Sequence, residues 1–261
     1  MTVMEHTLPD GGTRPPDPAE LEAKRARVAT LNARYRHHSA TAVLQGALRD
    51  PEAGKIAMVS SFGAESVALL HLVAMVDRKT PVLFIDTRLL FAETLTYQQD
   101  VAERLHLEDL RILRTDQALV DKTDPYTALN MTDQDRCCTL RKTVPLEAAL
   151  QGFDGWITGR KRYQSPTRAN MEFFELEEAT GRIKVNPLAH WGPDDVRAYM
   201  EENRLPKHPL VAQGYPSIGC APCTSKVAPG EDPRAGRWRG QDKVECGIHF
   251  GADGKASRSA S

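Results

Sequence analysis

Apolar residues in the first 158 positions of the chain alternate between short runs and longer segments of helical spacing. Buried strands are predicted at residues 56–59, 81–85, 110–113 and 156–158. Helices are predicted before and between these strands, at residues 18–35, 40–48, 67–76, 91–107 and 135–150. This alternation indicates an α/β fold, in which a parallel sheet carries helices on both faces. Ligands bind beyond the carboxyl ends of the strands in such sheets.

The alternation weakens in the second part of the chain. Two short strands are predicted at residues 173–176 and 182–185, followed by a helix at residues 193–202. Residues 203–250 are rich in Pro, Gly and Cys, and we expect their structure to depend on long-range contacts or on a bound cofactor.

Both ends of the chain are rich in small and polar residues. Residues 1–17 and 251–261 are therefore predicted to be mobile tails. Residues 18–250 are predicted to form a single domain, with residues 224–250 as its mobile C-terminal segment.

Composition and charge exclude several classes of protein. The chain has 261 residues, with 34 Lys and Arg against 35 Asp and Glu, so its net charge is −1. This balance argues against a general nucleic-acid-binding surface. No apolar run reaches the roughly 20 residues of a membrane span, and no signal-peptide core is evident. A cytoplasmic protein without membrane or nucleic-acid partners is expected, with its cysteines in a reducing compartment.

The segment SSFGAES, residues 60–66, joins a predicted strand to a predicted helix. Serine hydroxyls and backbone N–H groups at the start of a helix can bind an anion or a nucleotide. The alternative is a helix cap that binds no ligand. The segment is not a Walker A loop, because no Gly-Lys-Ser/Thr sequence follows it.

Four of the five cysteines form two pairs, Cys137-Cys138 and Cys220-Ala221-Pro222-Cys223. Adjacent cysteines form only a strained disulfide ring. Two pairs can instead bind one metal centre, and four thiolates suit tetrahedral zinc or an iron–sulfur cluster. The adjacent pair favours a cluster, because a single zinc ion must be surrounded by all four sulfurs. The alternative is that the thiols are unrelated and merely buried.

Cys246 stands apart, within Glu245-Cys246-Gly247-Ile248-His249. A cationic neighbour such as His249 favours the thiolate, which makes Cys246 a candidate nucleophile.

Cations also cluster within GRKRYQSPTR, residues 159–168, and at Arg234 and Arg237. Solvated loops often carry such charges, but these cations fall on segments already assigned to anion binding or to thiol chemistry, which favours a polyanionic substrate such as a nucleotide.

The two cysteine pairs and the segment around Cys246 together resemble the assimilatory sulfonucleotide reductases, specifically the iron–sulfur type that reduces adenosine 5′-phosphosulfate. The resemblance runs from about residue 56 to residue 250. It implies the adenine-nucleotide α-hydrolase-like fold, whose modified pyrophosphate loop SSFGAES resembles. Two positions depart from the family pattern: Ser66 stands where relatives often have an acidic residue, and Arg88 stands where the family has the glycine of Asp-Thr-Gly.

The resemblance also implies roles for individual residues. One 4Fe–4S cluster would be bound by Cys137, Cys138, Cys220 and Cys223. Cys246 would attack the sulfur of the substrate, releasing AMP and forming an S-sulfonate, from which thioredoxin would release sulfite. The substrate-binding residues would be Ser60, Ser61, Gly63, Glu65, Lys142, Gly159, Arg160, Arg162, Arg168, Arg234, Arg237 and His249.

The resemblance thus implies an oxidoreductase of sulfate assimilation and cysteine biosynthesis. The cluster-free relatives reduce 3′-phosphoadenosine 5′-phosphosulfate, and the cysteine pairs favour the substrate without the 3′-phosphate.

Two other functions are alternatives to this one. An ATP pyrophosphatase of the same fold would need an SGGxDS loop in place of SSFGAES. A non-catalytic zinc-stabilised binding protein would leave Cys246 and the clustered cations without a role. The sequence leaves a homo-oligomer open.

Overall fold

The computed structural model describes residues 1–6, 16–51, 53–241 and 243. Within these residues, seven strands form one sheet: β1 Thr2–His6, β2 Ile56–Ser60, β3 Val82–Ile85, β4 Leu110–Thr115, β5 Gly155–Ile157, β6 Phe174–Glu177 and β7 Arg182–Val185. Their order across the sheet is β1-β4-β3-β2-β5-β7-β6. Neighbouring strands are parallel except β6 and β7, which form an antiparallel pair at one edge. The predicted α/β class is confirmed.

Helices connect the strands. In the described part of the chain they are α1 Pro18–Tyr35, α2 Ala40–Arg49, α3 Ser66–Val76, α4 Ala92–Arg104, α5 Gln117–Thr123, α6 Leu129–Thr132, α7 Gln134–Cys138, α8 Val144–Ala149 and α9 Pro193–Glu202. A π-helical turn spans Thr139–Thr143. Short 3₁₀ turns lie at Arg162–Gln164, Pro166–Arg168, Pro209–Gln213 and Ala221–Cys223.

The core lies on both faces of the sheet because successive strand residues point to opposite sides. In β2, Ile56 and Met58 pack into the larger core with α2 and α3. Ala57 lies between them in sequence and packs on the other face with Leu146 and Leu150, at the end of α8. Helices therefore cover both faces, as the sequence predicts.

The N-terminus differs from the prediction of a mobile tail over residues 1–17. Thr2–His6 form β1, which adds to the edge of the sheet parallel to β4. The side chain of Glu5 accepts a hydrogen bond from Arg88 Nη2 at 2.6 Å. Thr2, Val3 and Glu5 are exposed and Met4 is only partly buried against the core, so the pattern of β1 gives no strand signal in the sequence.

The single helix predicted at residues 135–150 is divided in the structure into α7, the π-helical turn and α8. Pro145 has no amide hydrogen and cannot donate to the carbonyl of Arg141, which interrupts the α-helical ladder. The N–H of Val144 instead donates to the carbonyl of Thr139. The carbonyl of Leu140 accepts a hydrogen bond from the buried hydroxyl of Thr115 at 2.5 Å. Such π turns occur frequently at functional sites.

We expect Thr115→Val to lower the free energy of unfolding by about 1–3 kcal/mol, because it leaves the buried carbonyl of Leu140 without its donor. Thermal unfolding followed by circular dichroism measures the change. Thr30→Val is the matched control, because the exposed Thr30 hydroxyl donates to the Ala26 carbonyl within α1. Equal effects of the two substitutions would contradict a special role for the Thr115–Leu140 bond.

Candidate active site

A cavity of about 510 Å³ lies beyond the carboxyl ends of the central strands β2, β3 and β5. We call it the nucleotide cavity, after the ligand that the resemblance leads us to expect there. The predicted substrate-binding residues that line it are Ser60, Ser61, Gly63, Glu65, Lys142, Gly159, Arg160, Arg168, Arg234 and Arg237. The structure therefore brings together residues from four separate segments of the chain.

One predicted substrate-binding residue lies outside the lining of this cavity, and two predicted site residues have no described position. Arg162 points elsewhere: its Nε donates to the carbonyl of Met171 at 2.7 Å, and its guanidinium lies 3.5 Å from Glu172. The expectation that Arg162 contacts the substrate therefore differs from its observed placement. The predicted nucleophile Cys246 and the predicted substrate-binding residue His249 lie outside the described residues.

The loop between β2 and α3 is tightly folded. The N–H of Phe62 donates to the hydroxyl of Ser60, and the N–H of Gly63 donates to the hydroxyl of Ser66 at 3.0 Å. A Cβ atom at Gly63 would lie 3.3 Å from the carbonyl oxygen of Ile218, closer than most side chains tolerate. Ser66, one of the departures from the family pattern, thus supplies the hydroxyl that holds this loop in its turn.

The carboxylate of Glu65 is held by three side chains from the cationic segment. Lys161 donates to it at 2.8 Å, the Tyr163 hydroxyl at 3.0 Å and the Gln164 amide at 3.4 Å. Lys161 is 2% exposed, and burial lowers its pKa although Glu65 opposes the shift. Burial has the opposite effect on Tyr163 and raises its pKa, because the charged form of a tyrosine is the deprotonated one. Glu65 therefore anchors the cationic segment to the loop after β2.

Lys161, Tyr163 and Gln164 also line the nucleotide cavity. The sequence includes Lys161 only as part of the 159–162 segment expected to hold the nucleotide, and it does not single out Tyr163 or Gln164. Lys161 and Tyr163 lie within the cationic run, so composition marks their position. Their partner Glu65 is almost a hundred residues away in sequence, and no local pattern indicates that pairing.

Arg237 has the environment of a ligand-binding cation. Its guanidinium lies 4.5 Å from the ring centroid of Trp238, and its Nη1 donates to the carbonyl of Ile218. Its buried Nε has no hydrogen-bond partner within the part of the chain that the structure describes. Gly219 leaves room for this guanidinium, because a Cβ atom there would lie 2.3 Å from Nη2 of Arg237 and would displace it.

A second, smaller cavity is lined by all four paired cysteines, Cys137, Cys138, Cys220 and Cys223. We call it the cysteine cavity. The first two end α7, Cys220 precedes the 3₁₀ turn Ala221–Cys223, and Cys223 is the last residue of that turn. Across residues 1–6, 16–51, 53–241 and 243, no group of three or more His, Cys, Asp or Glu side chains is arranged to hold a metal ion.

The cysteine cavity combines buried thiols with a buried cation. Burial raises the pKa of the Cys137 and Cys223 thiols, and a bound metal centre would favour their thiolates. Arg141 also lines this cavity. It is 4% exposed, forms an ion pair with Asp124 at 2.9 Å, and its buried Nε has no partner among the described residues. A donor of this kind fits the sulfurs of an iron–sulfur cluster.

The two cavities share a wall. Thr87, Lys142 and Cys220 line both of them. The hydroxyl of Thr87 lies 3.3 Å from Sγ of Cys220, within hydrogen-bond distance. A group bound by the cysteines would therefore be separated from a ligand in the nucleotide cavity by only one layer of side chains.

We expect Glu65→Gln to lower the free energy of unfolding by about 1–3 kcal/mol near neutral pH, because the buried Lys161 ammonium loses its charged partner while Glu65 itself is partly exposed. The sign of the pH dependence follows from the lowered pKa of Lys161. Between that lowered pKa and the unfolded value of about 10.4, the unfolded chain binds more protons, so stability rises with pH. The deficit of the variant should shrink when the pH is raised to about 9.5.

Thermal unfolding at the two pH values measures this effect. Glu178→Gln is the control, because it removes the partner of the exposed Arg25, and solvent screening should make its effect on stability smaller than that of Glu65→Gln. A deficit in Glu65→Gln that is no larger than the control, or that is independent of pH, would contradict the role assigned to the Glu65–Lys161 pair.

Comparisons with known proteins agree with the fold and the site. The phosphoadenosine phosphosulfate reductase domain matches residues 55–226. The chain is 48% identical to an adenosine 5′-phosphosulfate reductase of Chelativorans sp. over 89% of this chain and 92% of that protein. It is 44% identical to an adenosine 5′-phosphosulfate reductase of Mesorhizobium japonicum over 86% of this chain and 88% of that one.

Solved structures give the same fold. A phosphoadenylyl-sulfate reductase of Candida auris, in a phosphate complex, aligns with a TM-score of 0.65 at 25% identity, over 83% of this chain and all of that one. A Candida glabrata FMN adenylyltransferase aligns with a TM-score of 0.51 at 15% identity, over 82% of this chain and 79% of that one, and it supports the fold alone. Among the described helices, none combines the length and apolar character needed to cross a membrane. The fold is the adenine-nucleotide α-hydrolase-like fold, and the chain belongs to the phosphoadenosine phosphosulfate reductase family.

Proposed function

We propose that the protein reduces adenosine 5′-phosphosulfate to sulfite and AMP in sulfate assimilation and cysteine biosynthesis, with thioredoxin as the electron donor. The observation that carries this proposal is the wall shared by the nucleotide cavity and the cysteine cavity. Relatives named adenosine 5′-phosphosulfate reductase cover most of the chain, which supports this substrate.

The nucleotide cavity suits an anionic nucleotide in size and charge. Its volume of about 510 Å³ is within the range of small-molecule sites. We assign the nucleotide to the SSFGAES loop, Gly159, Arg160 and Arg168. Lys142, Arg234 and Arg237 are assigned to the phosphosulfate, together with His249, because cations in a sheltered site offset the desolvation of its charges.

A 3′-phosphorylated substrate is the second candidate, because the Candida auris structure is that of a phosphoadenylyl-sulfate reductase. The two cysteine pairs favour the unphosphorylated nucleotide, since the resemblance associates them with the iron–sulfur type. Comparing turnover of the two nucleotides by the same preparation distinguishes these candidates.

The reaction would proceed in two transfers. The thiolate of Cys246 forms a bond to the sulfur of the substrate, and the bond between that sulfur and the phosphate oxygen breaks, so that AMP leaves with the electron pair. A thioredoxin thiolate then attacks Sγ of Cys246, and sulfite leaves with the pair of the broken S–S bond. The second thioredoxin thiol releases Cys246 and completes the thioredoxin disulfide. Two electrons thus pass from thioredoxin to the sulfur that leaves as sulfite.

Cationic residues of the chain are assigned to activating Cys246 for the first transfer. A thiol with a pKa near 8.5 is only slightly ionised at neutral pH, so neighbouring cations are needed to favour the thiolate. Arg234, Arg237 and His249 are assigned this role as well as that of orienting the sulfonate. Lys142, in the shared wall, would balance negative charge on both of its sides.

We further propose that Cys137, Cys138, Cys220 and Cys223 bind one 4Fe–4S cluster. Their common cavity supports this donor set, and so does Nε of Arg141, which has no partner within the described chain. When bound, such a cluster supplies a polarisable centre of fixed charge beside the nucleotide cavity.

The protein is expected to act in the cytoplasm, with no nucleic acid or membrane as a partner. The structure of a single chain leaves a homo-oligomer open.

We expect analysis of anaerobically purified protein to find about four iron and four sulfide per chain. Cys223→Ser should lower both contents, because it removes one of the four thiolates, whereas Cys246→Ser should leave them unchanged. Stoichiometric zinc without iron would contradict the cluster and would favour a zinc-stabilised protein.

We expect Cys246→Ser to bind AMP and keep its iron but to produce no sulfite, because the variant lacks the attacking thiolate. Incubation of the unmodified protein with adenosine 5′-phosphosulfate in the absence of thioredoxin should add one sulfonate to the peptide that contains Cys246, as detected by mass spectrometry. Turnover by Cys246→Ser, or the sulfonate on Cys220 or Cys223, would contradict the proposed mechanism.

A further inference from the structure

Lys243 stands three residues before Cys246 in the sequence and connects the end of the chain to the cysteine cavity. Its ammonium donates to Oδ1 of Asp135 at 2.6 Å and to Sγ of Cys138 at 3.6 Å. The side chain of Lys243 is 13% exposed, whereas that of Asp135 is 56% exposed. The chain is therefore held against α7, next to a cysteine that lines the cysteine cavity, immediately before the segment that carries Cys246.

We propose that the Lys243–Asp135 ion pair is an anchor that keeps Cys246 close to the two cavities, which makes Lys243 a positioning residue for the first transfer. The inference rests on the proposed function, in which Cys246 is the nucleophile. Three extended residues span at most about 11 Å, so a chain fixed at Lys243 beside α7 limits how far Cys246 can move from that point. Lys243 itself makes no bond to the reacting atoms.

The size of the effect follows from the chain that the anchor leaves free. Without Lys243, the next ion pair back along the described chain is Arg239–Glu231, at 3.0 Å, seven residues before Cys246. The effective concentration of a tethered group falls roughly as the −3/2 power of the tether length. Lengthening the tether from three residues to seven should therefore slow the attack about fourfold.

The test is a single-turnover measurement on the cluster-containing protein. The rate of S-sulfonate formation on Cys246 is followed by rapid quenching and mass spectrometry at saturating adenosine 5′-phosphosulfate, and the AMP dissociation constant is measured separately. Lys243→Gln and Asp135→Asn should each slow sulfonation about fourfold without changing AMP affinity. The double variant should be no slower than either single variant, because both remove the same anchor. Lys243→Arg should restore most of the rate.

Arg239→Gln is the matched control, because it breaks a neighbouring ion pair of the same segment while Lys243 still anchors the chain closer to Cys246. Its sulfonation rate should equal that of the unmodified protein. An unchanged rate in Lys243→Gln would overturn the anchor, and so would additive losses in the double variant. Loss of iron from Lys243→Gln would also overturn it, by assigning the residue to the cysteine cavity alone. If the unmodified protein acquires no sulfonate on Cys246, the proposed function fails and not only the anchor.

Discussion

The pairing of the CxxC segment with the loop after β3 is the contact on which both cavities depend. The N–H of Ala221 donates to the carbonyl of Leu89 at 2.8 Å, and Leu90 forms an isolated antiparallel bridge with Cys220. The Thr87 hydroxyl lies beside the sulfur of Cys220. Since Thr87 and Cys220 line both cavities, separating these two segments would open the nucleotide cavity and the cysteine cavity together. Backbone pairing thus fixes a segment whose own sequence favours no regular structure.

A second constraint is the cost of burying charge beside those cavities. A buried cation without a carboxylate partner is strongly destabilising, and the chain pairs Arg141 with Asp124 and Lys161 with Glu65. Arg237 is held differently, by stacking on Trp238, and keeps a buried Nε without a hydrogen-bond partner in the described chain. The site therefore contains cations that are neutralised within the protein and others that can bind an anion, and charge counts along the sequence do not separate the two groups.

The sequence predicts the parts of the fold that local patterns determine. The buried strands and α9 are found where apolar runs, helical spacing and Pro193 predict them. The π turn after Cys138 depends on Pro145 together with a hydroxyl donated from Thr115, and the second contribution is visible only in three dimensions. The same distinction holds in the site. The sequence identifies the cysteine pairs and the cationic segment, whereas the pairing of Lys161 with Glu65 and the outward placement of Arg162 arise from tertiary contacts.

The departure at Arg88 adds a side-chain contact between the N-terminal strand and the loop after β3. Arg88 has φ +57°, a left-handed conformation that glycine adopts without strain and that costs a larger residue roughly 1 kcal/mol. The arginine offsets that cost with bonds that glycine cannot make, to the carbonyl of Thr115 at 2.8 Å and to Glu5 of β1 at 2.6 Å. Its side chain is thus directed to the edge of the sheet and is absent from the described lining of the nucleotide cavity. The side chain at position 88 thus adds an ion pair to the backbone bonds that hold β1 beside β4.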